Sequence, residues 1–177
     1  MSMKQSNYEK VLGVFFDNPT EKFHVRGIAR ITRLNPNTVL NITRGLEKEK
    51  LIIREKKRHI VELSAKIGER FKNLKKIDNL KKIYDSGLVN FLVEKLNPEA
   101  VSVIGSYSEG NDIKKSDVDI VVITKKEYLD IDLKKFEKVL NRNIHLIVAY
   151  YNKFSDEFYT NLINGIVLSG YIRRKFK

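Results

Sequence analysis

A strand that carries two aspartates is the feature that most restricts how this chain can fold. The β-branched residues of Asp117–Ile123 predict a strand in a sheet. Because strand side chains alternate between the two faces, Asp117 and Asp119 project on the same side. Neighbouring carboxylates repel each other and resist desolvation, and a divalent cation removes both penalties. The segment therefore predicts a sheet that carries a divalent-cation site.

The residues before this strand favour the binding of phosphate. Ala100–Ile104 predicts a preceding strand, and Gly105-Ser106 predicts a tight turn at its end. Glycine lets backbone N–H groups approach a phosphate closely, and the Ser106 hydroxyl can donate a hydrogen bond. Mg²⁺ is commonly held by one or two carboxylates together with substrate phosphates, and Mn²⁺ takes the same ligands. The pattern predicts a site for a nucleoside triphosphate with Mg²⁺ or Mn²⁺.

This pattern resembles the DNA polymerase β-like nucleotidyltransferase superfamily in its minimal form. The resemblance spans about residues 88–170, and its signature residues are Gly105-Ser106-Tyr107, Gly110 and Ser116–Val121. It implies that Gly105 and Ser106 hold the triphosphate and that Asp117 and Asp119 are catalytic and bind the metal. It also implies transfer of a nucleoside monophosphate, with ATP the expected donor, to a hydroxyl with release of pyrophosphate.

Two departures from the family pattern leave enzymatic activity open. Active members usually carry a third carboxylate on the next strand, but the predicted strand Ile144–Ala149 has no acid, and His145 is its polar residue. A histidine can act as a base near neutral pH, and a strand histidine can equally be structural. Ser108-Glu109 stands where the family often has a small residue and an arginine. Glu109 and Asp112, in a predicted flexible loop, are alternative acids.

Positive charge is concentrated in the first half of the chain. Residues 1–86 hold 20 Lys and Arg against 10 Asp and Glu, a net charge of +10, and the remaining residues contribute +2 to the total of +12. Such asymmetry favours a polyanionic partner, although a lysine-rich solvated surface is an alternative. There is no cysteine, signal-peptide pattern or apolar run of membrane-spanning length. A soluble cytoplasmic protein without a membrane partner is expected.

Three helices are predicted in this basic half: Tyr8–Asp17, Val25–Thr32 and a third from Pro36 to about Lys50. Asn35 is the expected cap of the third helix, and proline suits its first position. Ile28, Ala29 and Ile31 are expected to face inward from the second helix. The third helix has two chemically distinct faces. The apolar face is Val39, Ile42, Thr43 and Leu46, and the opposite face is Asn37, Asn41, Arg44 and Lys48.

A hairpin with a basic tip follows the three helices. Leu51–Glu55 and Ile60–Leu63 are its predicted strands. About residues 5–65 resemble the winged helix-turn-helix family, on the motifs His24–Arg30 and Asn35–Val39. The resemblance implies binding of double-stranded DNA, although some winged helices bind protein or RNA. The expected DNA-binding residues, in the third helix and at the tip, are Asn37, Thr38, Asn41, Arg44, Lys48, Lys56, Lys57 and Arg58.

The expected fold class is α+β, with an N-terminal winged helix-turn-helix and a C-terminal small mixed α/β nucleotidyltransferase domain. The predicted domains are residues 1–65 and 87–177, joined by a helical connector over residues 66–86. The connector has an apolar stripe, with expected breaks at Asp78-Asn79 and Ser86-Gly87. Such a stripe can pair with a second copy, as a palindromic DNA site requires, or fold back on its own domain. We expect a homodimer.

Three functions are compatible with this sequence. The leading hypothesis is a DNA-binding nucleotidyltransferase, with antitoxin-like adenylylation of a protein partner as its most specific form. The alternative is a transcription regulator whose second domain senses a nucleotide or mediates dimerisation without catalysis. Modification of RNA ends is a third hypothesis, and it has less support because no RNA-binding extension follows the second half.

Overall fold

The computed structural model describes residues 6–57, 60–126 and 131–173 of the chain. The chain divides into two compact units, Met1–Lys75 and Lys76–Lys177. Eight α-helices and two sheets make up the described residues, so the protein is of mixed α and β class. None of the described helices has the length and apolar character needed to cross a membrane.

Unit 1 consists of three helices and a three-stranded antiparallel sheet, whose strands lie in the order β1-β3-β2. The elements are α1 (Asn7–Asp17), β1 (Lys22–Phe23), α2 (Val25–Thr32), α3 (Pro36–Lys48), β2 (Ile52–Lys57) and β3 (Ile60–Ala65). The three predicted helices and the predicted hairpin are therefore present. Strand β1 was not predicted, because two residues are too few to show an alternating pattern.

Local signals explain where these helices begin. Ser6 and Glu9 form a capping box at the start of α1, and the Asn35 side chain accepts a hydrogen bond from the Asn37 N–H at the start of α3.

The prediction that Ile31 of α2 faces inward was wrong, since Ile31 is 59% exposed. Ile31 lies roughly 110° around the helix from the midpoint between Ile28 and Ala29, so it falls outside the buried face.

Helix α4 (Glu69–Ser86) contains the boundary between the two units. Phe71 packs in the core of unit 1, and Ile83 packs in the core of unit 2. The predicted break at Asp78-Asn79 was wrong, because the helix runs through both residues and Asn79 is buried. The break at Ser86-Gly87 is present, with Gly87 in the left-handed region at φ 77°.

Unit 2 is a four-stranded sheet with helices on both faces. Its strands lie in the order β6-β5-β4-β7; β5 and β6 are parallel and the other pairs are antiparallel. One face packs against a core that includes Leu92 and Phe136, and the other against one that includes Leu162. The elements after α4 are α5 (Leu88–Leu96), β4 (Ala100–Ile104), α6 (Gly105–Glu109), β5 (Val118–Ile123), α7 (Lys134–Leu140), β6 (Ile144–Ala149), α8 (Asp156–Ile163) and β7 (Ile166–Gly170).

Three local expectations in unit 2 need correction. Gly105-Ser106 begins the short helix α6 rather than forming a simple turn. Strand β5 starts at Val118, one residue after Asp117. The amphipathic pattern of Tyr128–Leu140 predicts a helix over that range. Helix α7 instead starts at Lys134, and residues 128–130 lie outside the described part of the chain. The Asp132 side chain accepts a hydrogen bond from the Lys134 N–H, so the helix begins after this acid.

Candidate functional site

The ends of three strands meet at one end of the unit 2 sheet. Strand β4 runs antiparallel to β5, and β6 runs parallel to it, so the last residue of β4 lies beside the first residues of β5 and β6. Asp119 is paired with Ile104 on one side and with His145 on the other. Gly105 directly follows Ile104. The topology thus brings together residues that are up to 41 positions apart in the sequence.

Gly105 lies against the Asp119 carboxylate. It has φ 68°, and a Cβ atom placed on it would stand 2.9 Å from Asp119 Oδ2. That conformation disfavours residues with a side chain, and the Asp119 carboxylate would have to shift to admit one. A glycine at this position therefore lets the carboxylate rest against the backbone at the end of β4.

Each of the two aspartates is held by a residue from the β6 side. Asp119 Oδ1 is 2.9 Å from His145 Nδ1, and Asp117 Oδ1 accepts a hydrogen bond of 3.2 Å from Asn143 Nδ2. The Asp119 side chain is about one-third exposed and Asp117 is exposed, so both carboxylates remain accessible. Within the described residues the second oxygen of each carboxylate makes no hydrogen bond.

Helix α6 presents Ser106 next to this pair. The Ser108 hydroxyl donates a hydrogen bond to the Gly105 carbonyl at 2.7 Å, and the Asn111 N–H donates to the Ser106 carbonyl at 3.0 Å. Tyr107, the next residue, is buried in the core of unit 2, and desolvation by burial raises the pKa of its hydroxyl above the usual range. Ser106 itself is half-buried, and its hydroxyl has no hydrogen-bond partner among the residues that the structure describes.

A buried polar network supports the loop that leads into β5. Asn79 Nδ2 donates hydrogen bonds to the Tyr107 carbonyl at 2.9 Å and to Asp112 Oδ1 at 2.8 Å. Arg142 donates to the Lys114 carbonyl at 2.7 Å, and its Nη2 lies 3.6 Å from Asp112 Oδ2. Asp112 is only 1% exposed, so it supports the loop instead of acting as an alternative acid. Glu109, the other alternative, is exposed at the end of α6 and pairs with Asn111.

Sequence reasoning missed Asn79, Arg142 and Asn143 as parts of this region. Asn79 lies on α4, far from the motif in sequence, and it was interpreted as a helix break. Arg142 and Asn143 precede β6 in a stretch that resembles any polar turn. An amide or a guanidinium in a polar stretch gives no periodic signal, so only the tertiary contacts reveal its role.

The two carboxylates suit a magnesium ion whose remaining ligands come from the substrate. No group of three His, Cys, Asp or Glu side chains able to hold a metal ion occurs within residues 6–57, 60–126 and 131–173. A site made only of protein ligands is therefore not formed by these residues. Mg²⁺ usually keeps several waters and binds one or two carboxylates plus substrate phosphates, and the free oxygens of Asp117 and Asp119 meet that requirement.

The polar face of α3 is open in unit 1. Asn37, Asn41, Arg44 and Lys48 are exposed, and Thr38 is half-buried. On the opposite face Val39, Thr43 and Leu46 are fully buried. The predicted division of this helix into an inward apolar face and an outward polar face is thus present. Asn, Arg and Lys on one exposed helical face are side chains that can pair with base edges and phosphates.

The hairpin beside α3 carries paired charges. Lys57 Nζ lies 3.2 Å from Glu62, which also accepts a hydrogen bond from Lys22 at 3.1 Å. Hydrogen bonds lower the pKa of the Glu62 carboxyl from its usual value; the one from Lys22 has the larger effect and the one from Lys57 the smaller. Lys56 is exposed, and Arg58 of the predicted basic tip lies outside the described residues.

A salt bridge connects the hairpin to α3. Arg54 in β2 donates hydrogen bonds of 3.1 Å to Glu47 and 3.2 Å to the Thr43 hydroxyl. Both acceptors belong to α3, so the contact fixes the position of the hairpin relative to the helix that presents the polar face.

Comparison with known families gives one result, and it falls on unit 2. Residues 86–170 match the model of the nucleotidyltransferase domain, a match that covers just under half of the chain. It includes the two aspartates, Gly105, Ser106 and His145. The match supports a transferase that acts on a nucleoside triphosphate, usually with a divalent cation. Neither curated proteins nor solved structures give a significant match to this chain.

Proposed function

We propose that this protein is a metal-dependent nucleotidyltransferase joined to a winged helix-turn-helix that binds DNA. The observation that carries the catalytic part is the meeting of Gly105, Asp119 and His145 at one end of the sheet, next to Asp117 and Ser106. The family match over residues 86–170 supports it independently. The acceptor is a hydroxyl group, and the donor is an NTP, with ATP the first to test.

The chain's own residues have distinct roles in this proposal. Gly105 leaves room for the triphosphate at the end of β4, and Ser106 donates a hydrogen bond to a phosphate oxygen. Asp117 and Asp119 would hold Mg²⁺, which when bound neutralises phosphate charge and orients the transferred group. Asn143 and His145 orient the two carboxylates. The acceptor oxygen bonds to the α-phosphorus, the bond to pyrophosphate breaks, and the hydroxyl proton passes to water.

Unit 1 supports the DNA-binding part of the proposal. The order of three helices and a hairpin is that of a winged helix-turn-helix, and α3 has an exposed face with Asn41 and Arg44. Asn pairs with adenine and Arg with guanine through two hydrogen bonds each. Lys56 and Lys57 suit phosphate contacts on the hairpin. Binding to a palindromic site by a homodimer is part of this proposal.

The most specific form of the proposal is antitoxin-like modification of a protein partner. A DNA-binding domain joined to a small nucleotidyltransferase suggests autoregulation of an operon that encodes both the enzyme and its target. The acceptor would then be a side-chain hydroxyl of that partner.

Transfer of label from α-labelled ATP tests the catalytic part. Wild type and the Asp117→Asn/Asp119→Asn double variant are incubated with Mg²⁺ or Mn²⁺ and host lysate. We expect label on a macromolecule with wild type and none with the double variant, while both bind DNA equally. Sensitivity of the label to protease or to nuclease identifies the acceptor class. Loss of DNA binding in the double variant would contradict the assignment of DNA binding to unit 1 and of nucleotidyl transfer to unit 2.

One observation favours a second candidate, a regulator that senses nucleotide without turnover. Within the described residues no third acid accompanies Asp117 and Asp119, since β6 places His145 beside them. In that case wild type binds ATP with metal but transfers no label. A change in DNA affinity on addition of ATP would then identify the second unit as a sensor.

A further inference from the structure

A carboxylate oxygen and a ring nitrogen from neighbouring strands face each other at the candidate site. Asp119 of β5 and His145 of β6 are partners in the parallel register, and Asp119 Oδ1 lies 2.9 Å from His145 Nδ1. The Asp119 side chain is 31% exposed and that of His145 is 61% exposed, so a hydrated ion can reach both atoms. The other oxygen of Asp119 lies on the side of Gly105. The carboxylate thus presents one oxygen to the glycine and the other to the imidazole.

The distance between these two atoms is that of adjacent ligands on one metal ion. Bonds from small divalent ions to carboxylate oxygen and to imidazole nitrogen are about 2.1 Å long. Two such ligands at a right angle in an octahedral site are therefore about 3.0 Å apart. In the metal-free protein a hydrogen bond spans the same distance, because an ionised carboxylate accepts the proton on Nδ1. The neutral ring that carries its proton on Nε2 instead leaves Nδ1 able to bind a metal ion.

The carboxylates of the site are not neutralised by a basic side chain. In the part of the chain that the structure describes, no lysine or arginine forms an ion pair with Asp117 or Asp119. The partner of Asp117 is the amide of Asn143, which leaves its negative charge in place. Two neighbouring carboxylates without a compensating cation favour binding of a metal ion between or beside them.

The nitrogen atom affects which ions bind best. Mg²⁺ prefers oxygen ligands and gives up its waters reluctantly, so an exposed imidazole adds little to its binding. First-row transition ions such as Fe²⁺, Co²⁺ and Zn²⁺ bind imidazole well, and their affinity for sites with nitrogen and oxygen ligands exceeds that of Mn²⁺. A ligand pair formed by a carboxylate and an imidazole therefore favours these transition ions.

We infer that His145 binds the metal ion directly through Nδ1 and gives the site a preference for first-row transition ions. The inference rests on the proposed nucleotidyl transfer, in which Asp117 and Asp119 hold the ion, and it adds the class of metal. Mg²⁺ uses the carboxylates, phosphate oxygens and water and leaves the imidazole unbound. A transition ion exchanges one of its waters for His145 Nδ1.

Proton NMR of the Co²⁺ form tests whether the imidazole is a ligand. The full-length protein is saturated with Co²⁺ and the non-cleavable analogue α,β-methylene ATP. Paramagnetic Co²⁺ shifts the N–H proton of a bound imidazole far outside the normal range, and exchange with D₂O removes this resonance. We expect such a resonance in wild type and none in His145→Asn.

His24 provides the matched control for this spectrum. Its Nδ1 also lies 2.9 Å from an oxygen, the Val61 carbonyl, but in unit 1 and away from any carboxylate pair of the candidate site. His24→Asn should therefore keep the shifted resonance of wild type. Thermal melts monitor folding of both variants, and His145 is exposed enough for asparagine to replace it without a cavity.

Calorimetric titration of the Co²⁺ and Mg²⁺ complexes of the analogue into the protein measures the preference. His145→Asn should weaken binding of the Co²⁺ complex at least about ten-fold, the effect of losing even a residue that only supports a ligand. The affinity for the Mg²⁺ complex should change less than about two-fold, because water replaces the imidazole. His145→Asp, which offers oxygen in place of nitrogen, should lower the ratio of Co²⁺ to Mg²⁺ affinity.

Two results would overturn the inference. One is a Co²⁺ spectrum of wild type without the shifted resonance, or with a resonance that survives in His145→Asn. The other is equal weakening of the Co²⁺ and Mg²⁺ complexes by His145→Asn, which would limit His145 to orienting Asp119. Failure of the proposed function is distinct, because wild type would then bind neither metal complex of the ATP analogue.

Discussion

Asp119 and His145 lie opposite each other in the parallel pair of β5 and β6, with Oδ1 and Nδ1 2.9 Å apart. Both side chains project from the sheet face on which α8 packs. They lie nearer the start of β5 and β6 than the residues of this face that pack in the core with α8. His145 thus occupies the position on the neighbouring strand at which the resemblance to the nucleotidyltransferase superfamily leads us to expect a third carboxylate. It orients one oxygen of Asp119 and leaves the other directed toward Gly105.

His145→Asp should strengthen metal binding. A third carboxylate adds a hard oxygen ligand and negative charge, so we expect the affinity for Mn²⁺ with an ATP analogue to rise roughly ten-fold, comparable with the contribution of one ligand partner. Without metal, repulsion between Asp119 and the new carboxylate should lower the melting temperature. Calorimetric titration measures the first effect and thermal melts measure the second. His145→Asn, which adds no charge, should show neither.

Gly105→Ala should abolish metal-dependent ATP binding. The added Cβ would stand 2.9 Å from Asp119 Oδ2, and φ 68° strains any residue with a side chain. Gly87→Ala is the matched control, because Gly87 has a similar φ of 77° with open space around its Cβ position. Each variant should lose about 1–2 kcal/mol of unfolding free energy because alanine is strained at these φ angles, but only Gly105→Ala should lose ATP binding in calorimetry. Equal loss of ATP binding in both variants would mean that the substitution at Gly105 acts only through backbone strain.

Asn41→Ala and Arg44→Ala should relax DNA sequence discrimination. Both residues are exposed on α3, and each bidentate contact with a base contributes about 1–3 kcal/mol of discrimination. The operator is first selected from a random DNA library with wild type. Competition between that site and sites with single base changes then measures discrimination. Uniform weakening on every sequence would indicate phosphate contacts alone.

Lys57 and Glu62 should have opposite effects on the salt dependence of DNA binding. Lys57→Ala removes one cation, so the slope of log affinity against log salt should become shallower by about one. Glu62→Gln removes the carboxylate that pairs with Lys22 and Lys57, so affinity should rise and the slope should steepen. Titrations at four salt concentrations with a non-specific duplex measure both slopes. If neither slope changes, the hairpin does not contact DNA.

Gly27→Ala should stabilise unit 1. Gly27 lies inside α2, outside the left-handed region, and a Cβ atom added there meets no atom within 4 Å. Alanine is favoured over glycine in a helix interior by about 1 kcal/mol. Urea denaturation should show a higher midpoint with an unchanged slope. No gain in stability would mean that α2 is frayed at this position in the native protein.

Local signals in the sequence were sufficient to predict most of the helices and strands. The bounds of α2, β4 and β6 were predicted as they occur, because apolar residues recur at helical spacing in α2, Gly105 ends β4 and Asn143 precedes β6. The cap at Asn35 depends only on neighbouring residues. The projection of Asp119 from β5 follows from alternation along the strand, which is a local property, whereas Asp117 lies one residue before the strand.

Tertiary structure alone decided which distant residues complete the site. The register of β5 against β6 places His145 beside Asp119, and the packing of α4 brings Asn79 to Asp112. Ile31 is exposed although its type favours burial, because the neighbouring helices cover only the side of α2 that carries Ile28. These outcomes depend on contacts between segments far apart in the chain. The spacing of residue types along the sequence determines which side chains share a face of one helix or strand. It carries no information about which other element will pack against that face.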